Sequence, residues 1–242
     1  MSGTDYPAKQ RYVGTIANDY DRLRLSSPLR RYVWSREFRL LEKIAREQIM
    51  PNSTILDAPT GTGRFVPLLR KLGHRVTGAD ISLDMLKVQP FRDGQTRGNL
   101  VRADCETLPF GDSAFDYVIS MRFLGHLPPP ARSRVLQELK RVASKGIIVG
   151  FPVVQSLTRL KFKLGNVRYQ LTNRKTRCWW PATPQSLPGE LERAGLKITY
   201  QLKLFGPFSQ IIFLHLTRED HCKDSAEVVN RRVRIASAYP GL

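Results

Sequence analysis

The sequence is poor in cysteine and contains no long apolar run. Its three cysteines, Cys105, Cys178 and Cys222, lie far apart and form neither a C-x-x-C pair nor a zinc-like spacing. We therefore expect no disulfide framework, no metal site and a reducing compartment, the cytoplasm. Residues 1–14 lack the apolar core of a signal peptide, and no run approaches the ~20 apolar residues that cross a bilayer. An integral membrane protein is excluded on this evidence, whereas a peripheral one at the inner membrane face is not.

Acidic residues are also scarce relative to basic ones. The chain has 39 Lys and Arg against 21 Asp and Glu, a formal net charge of +18 over 242 residues. A charge of about 2 to 8 suffices to keep a small domain soluble. The excess predicts a polyanionic partner, which could be a nucleic acid, an anionic membrane face or an acidic substrate.

The chain shows alternating strand and helix patterns, which predict a mostly parallel sheet with helices on both faces. The predicted strands are 53–58, 74–80, 99–104, 115–121, 146–151, 196–204 and 209–217, and helices are predicted at 31–48, about 64–72, from 82, about 130–142 and 184–194. The predicted parts are a helical cap (1–52), a core (53–152), a basic and aromatic insertion after the fifth strand (153–183), the last helix and strands (184–217) and a polar basic tail (218–242).

The most informative motif is ILDAPTGTGRF at 55–65, where a strand ends at Asp57 and a glycine-rich turn leads into a helix. Glycine lets the backbone pass close to a ligand, and a helix N-terminus offers free N–H groups. On its own such a turn is weak evidence, because structural glycine turns are common.

Three acidic residues, Asp57, Asp80 and Asp104, each follow or end a successive predicted strand. The carboxyl ends of parallel strands meet at one edge of a sheet, so these side chains are expected in one crevice. Asp80 is placed to accept hydrogen bonds from both hydroxyls of a ribose, and Asp104 to accept one from an adenine amine. The alternative is that each acid is a helix N-cap, a role that aspartate favours.

Together, ILDAPTGTGR, VTGADISLDML (76–86) and VRADCETLPFGDSAFDYVISMRFLGHL (101–127) resemble the class I S-adenosylmethionine-dependent methyltransferases. The similarity is to the subgroup that contains the ubiquinone and menaquinone methyltransferases. It covers roughly residues 14–152, and ADCETLPFGDSAFDYV is its most specific string. The upstream segments YDRLR and WSREF resemble the cap that closes over the cofactor. The chain departs from the family pattern at Pro59, where a glycine is usual.

The resemblance implies a Rossmann-like seven-stranded sheet and a set of residues that bind S-adenosylmethionine. Its cofactor-binding residues would be Asp57, Ala58, Pro59, Thr60, Gly61, Gly63, Asp80, Ile81, Met85, Asp104, Cys105, Met121 and Tyr20. In this assignment the glycine loop cradles the methionine part, with Tyr20 near its carboxylate. Met121 borders the sulfonium, and Ile81, Met85 and Cys105 lie beside the adenine.

Two residues after the fourth strand are the catalytic candidates. His126 has the near-neutral pKa of a general base, although it could equally contact the cofactor or cap a loop. Arg122 could bind the methionine carboxylate or an anionic acceptor. The chain has no N-P-P-Y or D-P-P-Y string, no Pro-Cys pair and no metal-like cluster, which leaves oxygen or an activated carbon as the expected acceptor atom.

The insertion and its flanks are strongly basic: residues 139–189 contain no Asp or Glu and ten Lys or Arg. Leu157, Leu160 and Leu164 recur at roughly helical spacing, and Trp179 and Trp180 follow. This composition is typical of an interfacial membrane contact, but also of an RNA-binding face or a solvated lid. The cap adds six arginines, at positions 22, 24, 30, 31, 36 and 39.

The sequence therefore predicts a methyltransferase that acts on a small or lipid-linked, amphiphilic acceptor, at oxygen, with an anionic membrane surface as a partner. An RNA methyltransferase and a catalytically silent cofactor-binding module are the alternatives. Oligomeric state is not indicated.

Overall fold

A seven-stranded sheet organises the chain. The computed structural model describes residues 15–88, 100–153, 180–204 and 211–218. Its helices there are α1 (Thr15–Arg24), α2 (Pro28–Gln48), α3 (Val66–Lys71), α4 (Leu83–Lys87), α5 (Pro129–Val142) and α6 (Ser186–Arg193). Its strands are β1 (Thr54–Asp57), β2 (Arg75–Asp80), β3 (Leu100–Arg102), β4 (Phe115–Met121), β5 (Ala143–Pro152), β6 (Leu196–Lys203) and β7 (Ile211–Arg218).

The strand order is β3-β2-β1-β4-β5-β7-β6. The first five strands are parallel, and β7 runs antiparallel to both of its neighbours. The predicted Rossmann-like, mostly parallel sheet is thus confirmed, whereas most of the basic insertion and the tail lie outside the described residues. Chain order reverses between β1 and β4, and open α/β sheets bind ligands at such a switch point, outside the carboxyl ends of the strands.

The burial of each strand matches its apolar pattern in the sequence. In β5 every residue from Gly146 to Pro152 is buried, and in β4 every residue from Tyr117 to Met121 is buried. This is expected of strands that are covered on both faces. The edge strand β6 instead shows alternating exposure after Leu196. Such alternation is the period-2 pattern of a strand with one wet face.

Helix α2 carries the cap onto the sheet. It begins at Pro28, three residues before the predicted start, because Ser27 caps it: the Ser27 hydroxyl accepts a hydrogen bond from the Arg30 N–H at 3.3 Å. Its apolar stripe includes the fully buried Leu41 and Ile44. Phe38 on this stripe stacks against Phe65, with ring centroids 5.0 Å apart, so α2 packs beside the loop that follows β1.

The two faces of the sheet have separate apolar cores. One is formed with α2 and α3 and contains Leu41, Phe65 and Phe213; the other is formed with α5 and α6 and contains Leu136, Phe151 and Leu191. Both helical layers pack against the central strands, so the ends of these strands are held in fixed positions.

Candidate functional site

A cleft opens at the carboxyl ends of β1, β2 and β4. Its empty space amounts to about 780 Å³, open solvent at its mouth included. The lining residues are Tyr20, Asp57, Pro59, Thr60, Gly61, Thr62, Arg64, Phe65, Asp80, Ile81, Met85, Met121, Arg122, Phe123 and His126. Residues of the cap, of three strand ends and of the glycine loop therefore line one cleft.

The glycine loop is fixed by its own backbone. The Thr60 N–H donates to the Ala79 carbonyl at 2.8 Å, and the Gly63 N–H donates to the Thr60 carbonyl at 2.9 Å. Gly61 has φ +56°, and a Cβ built there would meet no atom within 4 Å. The loop is thus held in place, yet its backbone borders open space. The Ala58–Pro59 peptide bond within it is cis.

Asp80 connects two loops at the rim of the cleft. One carboxylate oxygen accepts the Gly61 N–H at 2.8 Å, and the other accepts the Ser82 N–H at 2.8 Å. Burial raises the pKa of Asp80, and these backbone hydrogen bonds oppose the rise. Each oxygen has a second acceptor site, so Asp80 keeps the capacity to accept hydrogen bonds from hydroxyls in the cleft.

Asp57 lies deeper, at the end of β1. One of its oxygens accepts the Thr60 hydroxyl at 2.9 Å. Burial raises the pKa of Asp57 to about 7, although the Thr60 hydrogen bond and the charge of Arg64 lower it. A cation placed in the cleft would favour the ionised carboxylate, so this group can respond to a charged ligand near neutral pH.

The alternative role for these acids, as helix N-caps, is wrong for Asp57 and Asp80. The N-cap of α4 is Ser82, whose hydroxyl accepts the Met85 N–H at 3.3 Å. The N-cap position of α3 is Phe65, which makes no side-chain cap. Helix α3 begins at Val66 rather than at Arg64, because the turn at Gly63 (φ +70°) extends the loop.

A buried carboxylate from the cap lies beneath the cleft. Glu37 of α2 is fully buried, and its oxygens contact Arg64 Nη2 at 2.8 Å and Arg122 Nε at 2.6 Å. Arg122, directly after β4, has φ +57°, a conformation that is uncommon for residues with a side chain. Two arginines on one carboxylate leave one net positive charge at this wall.

Sequence reasoning missed Glu37 and Arg64. The only signal was that Glu37 lies on the apolar stripe of its helix, three residues after Trp34 and four before Leu41. A charged residue at such a position requires a buried partner.

Helix α1 covers the cleft near the glycine loop. The Thr62 hydroxyl donates to Asp21 at 3.2 Å, and the neighbouring Tyr20 lines the cleft. The predicted closing cap therefore contacts the predicted donor loop directly.

His126 lies in a 3₁₀ turn, Leu124–His126, that is tied to the described end of the basic insertion. The Trp180 N–H donates to the Gly125 carbonyl at 2.7 Å. Arg132, 2% exposed, donates to the Trp180 carbonyl at 2.9 Å and lies 3.2 Å from Glu190 of α6. The turn that presents His126 is thus anchored to α5, to α6 and to the end of the insertion.

Four predicted site residues lie outside the lining of the cleft: Ala58, Gly63, Asp104 and Cys105. Cys105 is buried in the α5 core, and an Asp104 oxygen accepts the Glu106 N–H at 3.0 Å in a local turn. The cleft gathers the other eleven. Their roles in binding and catalysis remain predictions, and Thr62, Arg64, Phe65 and Phe123 join them as lining residues that the sequence did not single out.

Two other kinds of site, a metal centre and a bilayer-spanning helix, are absent from residues 15–88, 100–153, 180–204 and 211–218. No group of three His, Cys, Asp or Glu side chains there is arranged to hold a metal ion. None of the helices in the same ranges has the length and hydropathy of a bilayer span.

Comparison with known proteins identifies the domain. Residues 55–146 match the family described as "Methyltransferase domain". The chain is 34% identical over 102 residues to malonyl-[acyl-carrier protein] O-methyltransferase of Salmonella typhimurium (41% of this chain, 38% of that protein). It is 39% identical over 93 residues to demethylmenaquinone methyltransferase of Clavibacter sepedonicus (38% of this chain, 37% of that protein).

The first curated relatives are matched over only 37% to 55% of their own length. A solved structure matches over more of the chain: magnesium protoporphyrin IX methyltransferase from Synechocystis, solved with bound S-adenosylhomocysteine, has a TM-score of 0.70 at 17% identity, covering 87% of this chain and 98% of that one. That likeness shows the fold. Because the matched residues 55–146 run from β1 into β5 and include the loops at the cleft, this region of the chain is a methyltransferase domain of the class I, S-adenosylmethionine-dependent type.

Proposed function

We propose that the protein binds S-adenosylmethionine in the cleft and transfers its methyl group to oxygen of a small or lipid-linked, amphiphilic acceptor. The proposal includes a cytoplasmic setting at the inner membrane face, whose anionic lipids suit a protein of net charge +18. The observation that carries it is the pairing of Asp80 with the Gly61 N–H beside open space at the carboxyl ends of β1 and β2.

The charges around the cleft suit a zwitterionic nucleoside. Asp57 and Asp80 lie at strand ends, and Arg64 and Arg122 line the wall that Glu37 supports. The donor carries cationic groups and one carboxylate, so each has a complementary partner. We assign Asp80 to the ribose hydroxyls, Ile81 and Met85 to the apolar contact with adenine, and Asp57 with the glycine loop to the methionine part.

S-adenosylmethionine supplies a methyl group on a sulfonium, which is already a strong electrophile. The protein's own task is to orient the acceptor, exclude water and remove a proton. We assign proton removal from the acceptor hydroxyl to His126, which lines the cleft on a turn anchored to Trp180 and Arg132. Arg122 is assigned to an anionic group of the acceptor or of the donor.

The acceptor class is supported by two kinds of observation. The relatives named above are an acyl-carrier-protein O-methyltransferase and a demethylmenaquinone methyltransferase. Within the cleft, Phe65, Met121 and Phe123 add apolar surface next to Arg122. An amphiphilic acceptor with a polar head would use both.

Donor binding is tested by titration calorimetry with S-adenosylhomocysteine. Asp80→Ala should abolish measurable binding, whereas Asp84→Ala, a change of the exposed acid that pairs with Lys87, should leave the affinity as in the wild type. Binding that survives Asp80→Ala would contradict the ribose assignment, and no binding by the wild type would contradict the proposed function.

The acceptor is tested by incubating extracts with donor carrying a labelled methyl group, then separating lipid, RNA and protein. Label in the lipid or small-molecule fraction is the expected result, and label in RNA would favour the alternative enzyme. His126→Gln should lower turnover without changing the affinity for S-adenosylhomocysteine. Unchanged turnover would remove His126 as the base.

A further inference from the structure

The connection between α1 and α2 exposes a group of large apolar side chains. Leu29 is 70% exposed, Leu23 53%, Tyr32 49% and Leu25 36%. They are most of the large exposed apolar side chains found in the described ranges. Together with the exposed Arg22, Arg30 and Arg31 they form what we call the corner surface.

Charge on the corner surface is mostly positive. The sequence from Arg22 to Arg36 contains five arginines and no acidic residue. The nearest acid along α1 that contacts it is Asp19, which pairs with Arg22 at 2.9 Å on the surface. On such a surface the apolar side chains can be buried in an apolar phase, while the arginines attract anions.

The corner is also held in one shape. The Arg30 guanidinium donates to the Leu23 carbonyl at 2.7 Å and to the Ser26 hydroxyl at 3.0 Å. The Ser26 hydroxyl donates to the same Leu23 carbonyl at 2.8 Å, and Ser27 caps α2. Because these bonds fix the connection before any partner arrives, docking would require little ordering of the backbone.

We propose that the corner surface docks on an anionic lipid bilayer, with Leu23, Leu25, Leu29 and Tyr32 entering the interfacial region and Arg22 and Arg31 contacting lipid phosphates. Three leucines argue for lipid over RNA, because single-stranded RNA is bound by basic groups and stacked aromatic rings. Tyr20 in the cleft lies one helical turn before Leu23 on α1. Docking would thus bring the mouth of the cleft to the bilayer. The use of this position to reach an acceptor rests on the proposed function, whereas the docking itself does not.

This surface is separate from the membrane contact predicted within the insertion. Since the insertion is basic as well, binding of the whole protein to vesicles would not locate the contact. The experiment therefore compares single substitutions in the corner with matched substitutions near the amino ends of β1 and β2.

The control positions are Met50 and Lys71, which are both exposed. Met50 follows the far end of α2, and a 21-residue helix is about 30 Å long, so it lies far from Leu29. Lys71 ends α3 near the same place, since a Cβ at Gly73 would lie 3.6 Å from the Asn52 side chain. Leu29→Ser is matched by Met50→Ser, and Arg31→Gln by Lys71→Gln.

Binding is measured as the partition coefficient of the full chain on sedimented vesicles, with phosphatidylcholine alone or mixed with phosphatidylglycerol. The wild type should bind the mixed vesicles and lose binding as salt is added. Leu29→Ser should lower the partition coefficient about tenfold or more, and Arg31→Gln about fivefold. Both control variants should bind like the wild type.

Three results would overturn the inference: no binding of the wild type to mixed vesicles, wild-type binding by both corner variants, or equal losses in corner and control variants. Retention of RNA on a filter that is weakened by Arg31→Gln, without vesicle binding, would assign the surface to nucleic acid instead. Calorimetry with S-adenosylhomocysteine on the same samples separates this result from the proposed function, because donor binding should be equal in all variants.

Discussion

The Glu37 carboxylate lies 2.6 Å from Nε of Arg122, and this contact joins helix α2 of the cap to the end of β4. Glu37 also contacts Arg64, which follows the glycine loop. The cap and two walls of the cleft are therefore linked through one buried side chain. Removing a single partner from a buried ion pair leaves an uncompensated charge, which is far more costly than replacing the whole group.

Glu37→Gln should lower the free energy of unfolding by about 3 kcal/mol, because two arginines lose their carboxylate. Glu42→Gln on the same helix is the control: Glu42 pairs with Arg46 on the surface, and such pairs contribute less than about 1 kcal/mol. Urea unfolding monitored by circular dichroism measures both. Similar losses in the two variants would show that Glu37 is not the link described.

Gly78→Ala should weaken S-adenosylhomocysteine binding. A Cβ at Gly78 would lie 3.0 Å from both Leu100 Cδ2 and Thr60 Cγ2, so it would press on the loop that holds Asp57. Overpacking of this kind costs about 1–3 kcal/mol. Gly111→Ala is the matched control, since a Cβ there meets nothing within 4 Å. Calorimetry should show weaker binding for the first variant only, and equal affinities would exclude pressure on the loop.

Asp57 should make the protein less stable as pH rises. Its pKa goes from 3.8 in the unfolded chain to about 7 in the folded one because of burial. The folded state therefore binds more protons across this window, and the free energy of unfolding falls as pH increases through it. Asp57→Asn removes this titration. The free energy of unfolding of the variant, relative to that of the wild type, should therefore rise between pH 3.8 and about 7 and stay constant at higher pH.

Asp116 is the control, because its pKa is lowered on folding whereas that of Asp57 is raised. Burial raises its pKa, but hydrogen bonds from Lys145 and Thr54 outweigh this and lower the pKa to about 2. Its stabilisation is present above pH 3.8 and is lost as pH falls toward 2. Asp116→Asn should therefore be less stable than the wild type by a constant amount between pH 4 and about 7. A flat difference for Asp57→Asn as well would contradict the burial of a protonated Asp57.

Arg132→Met should lower the free energy of unfolding by about 3 kcal/mol, since Glu190 and the Trp180 carbonyl lose a buried partner. The double variant Arg132→Met, Glu190→Gln should recover part of that loss, because Glu190 no longer carries a charge. Chemical unfolding of the wild type, both single variants and the double variant closes the thermodynamic cycle. Strict additivity would show that the two side chains do not interact.

The sequence predicted the strands and the glycine loop because both depend on local pattern. Nearly continuous apolar runs at 115–121 and 146–151 indicate strands that are covered on both faces, and glycines after a strand indicate a tight turn. The helix starts were less accurate: Ser27 moved the start of α2 earlier and Gly63 moved the start of α3 later. Caps and left-handed turns act over two or three residues, which periodicity does not resolve.

The contacts of the cleft wall could not be predicted in the same way. Glu37 and Arg122 are separated by 85 positions, and their contact depends on how α2 lies on the sheet. Asp104 was expected in the cleft because it ends a predicted strand, and the family resemblance implied the same for Cys105. However, β3 is only three residues long, the Glu106 N–H donates to Asp104 in a local turn, and Cys105 is buried in the core, so neither side chain lines the cleft.

The bridge between Val153 and Ala182, with the Ala182 N–H donating to Pro152 at 3.0 Å, closes the base of the stretch between them. The two ends of the stretch are therefore in contact, and the entropy of closing a chain segment grows only slowly with its length. Evolution, or an engineer, can thus exchange residues 154–179 for a longer or shorter sequence at small cost to folding. A different segment between the same two anchors would leave in place the strand ends that line the cleft.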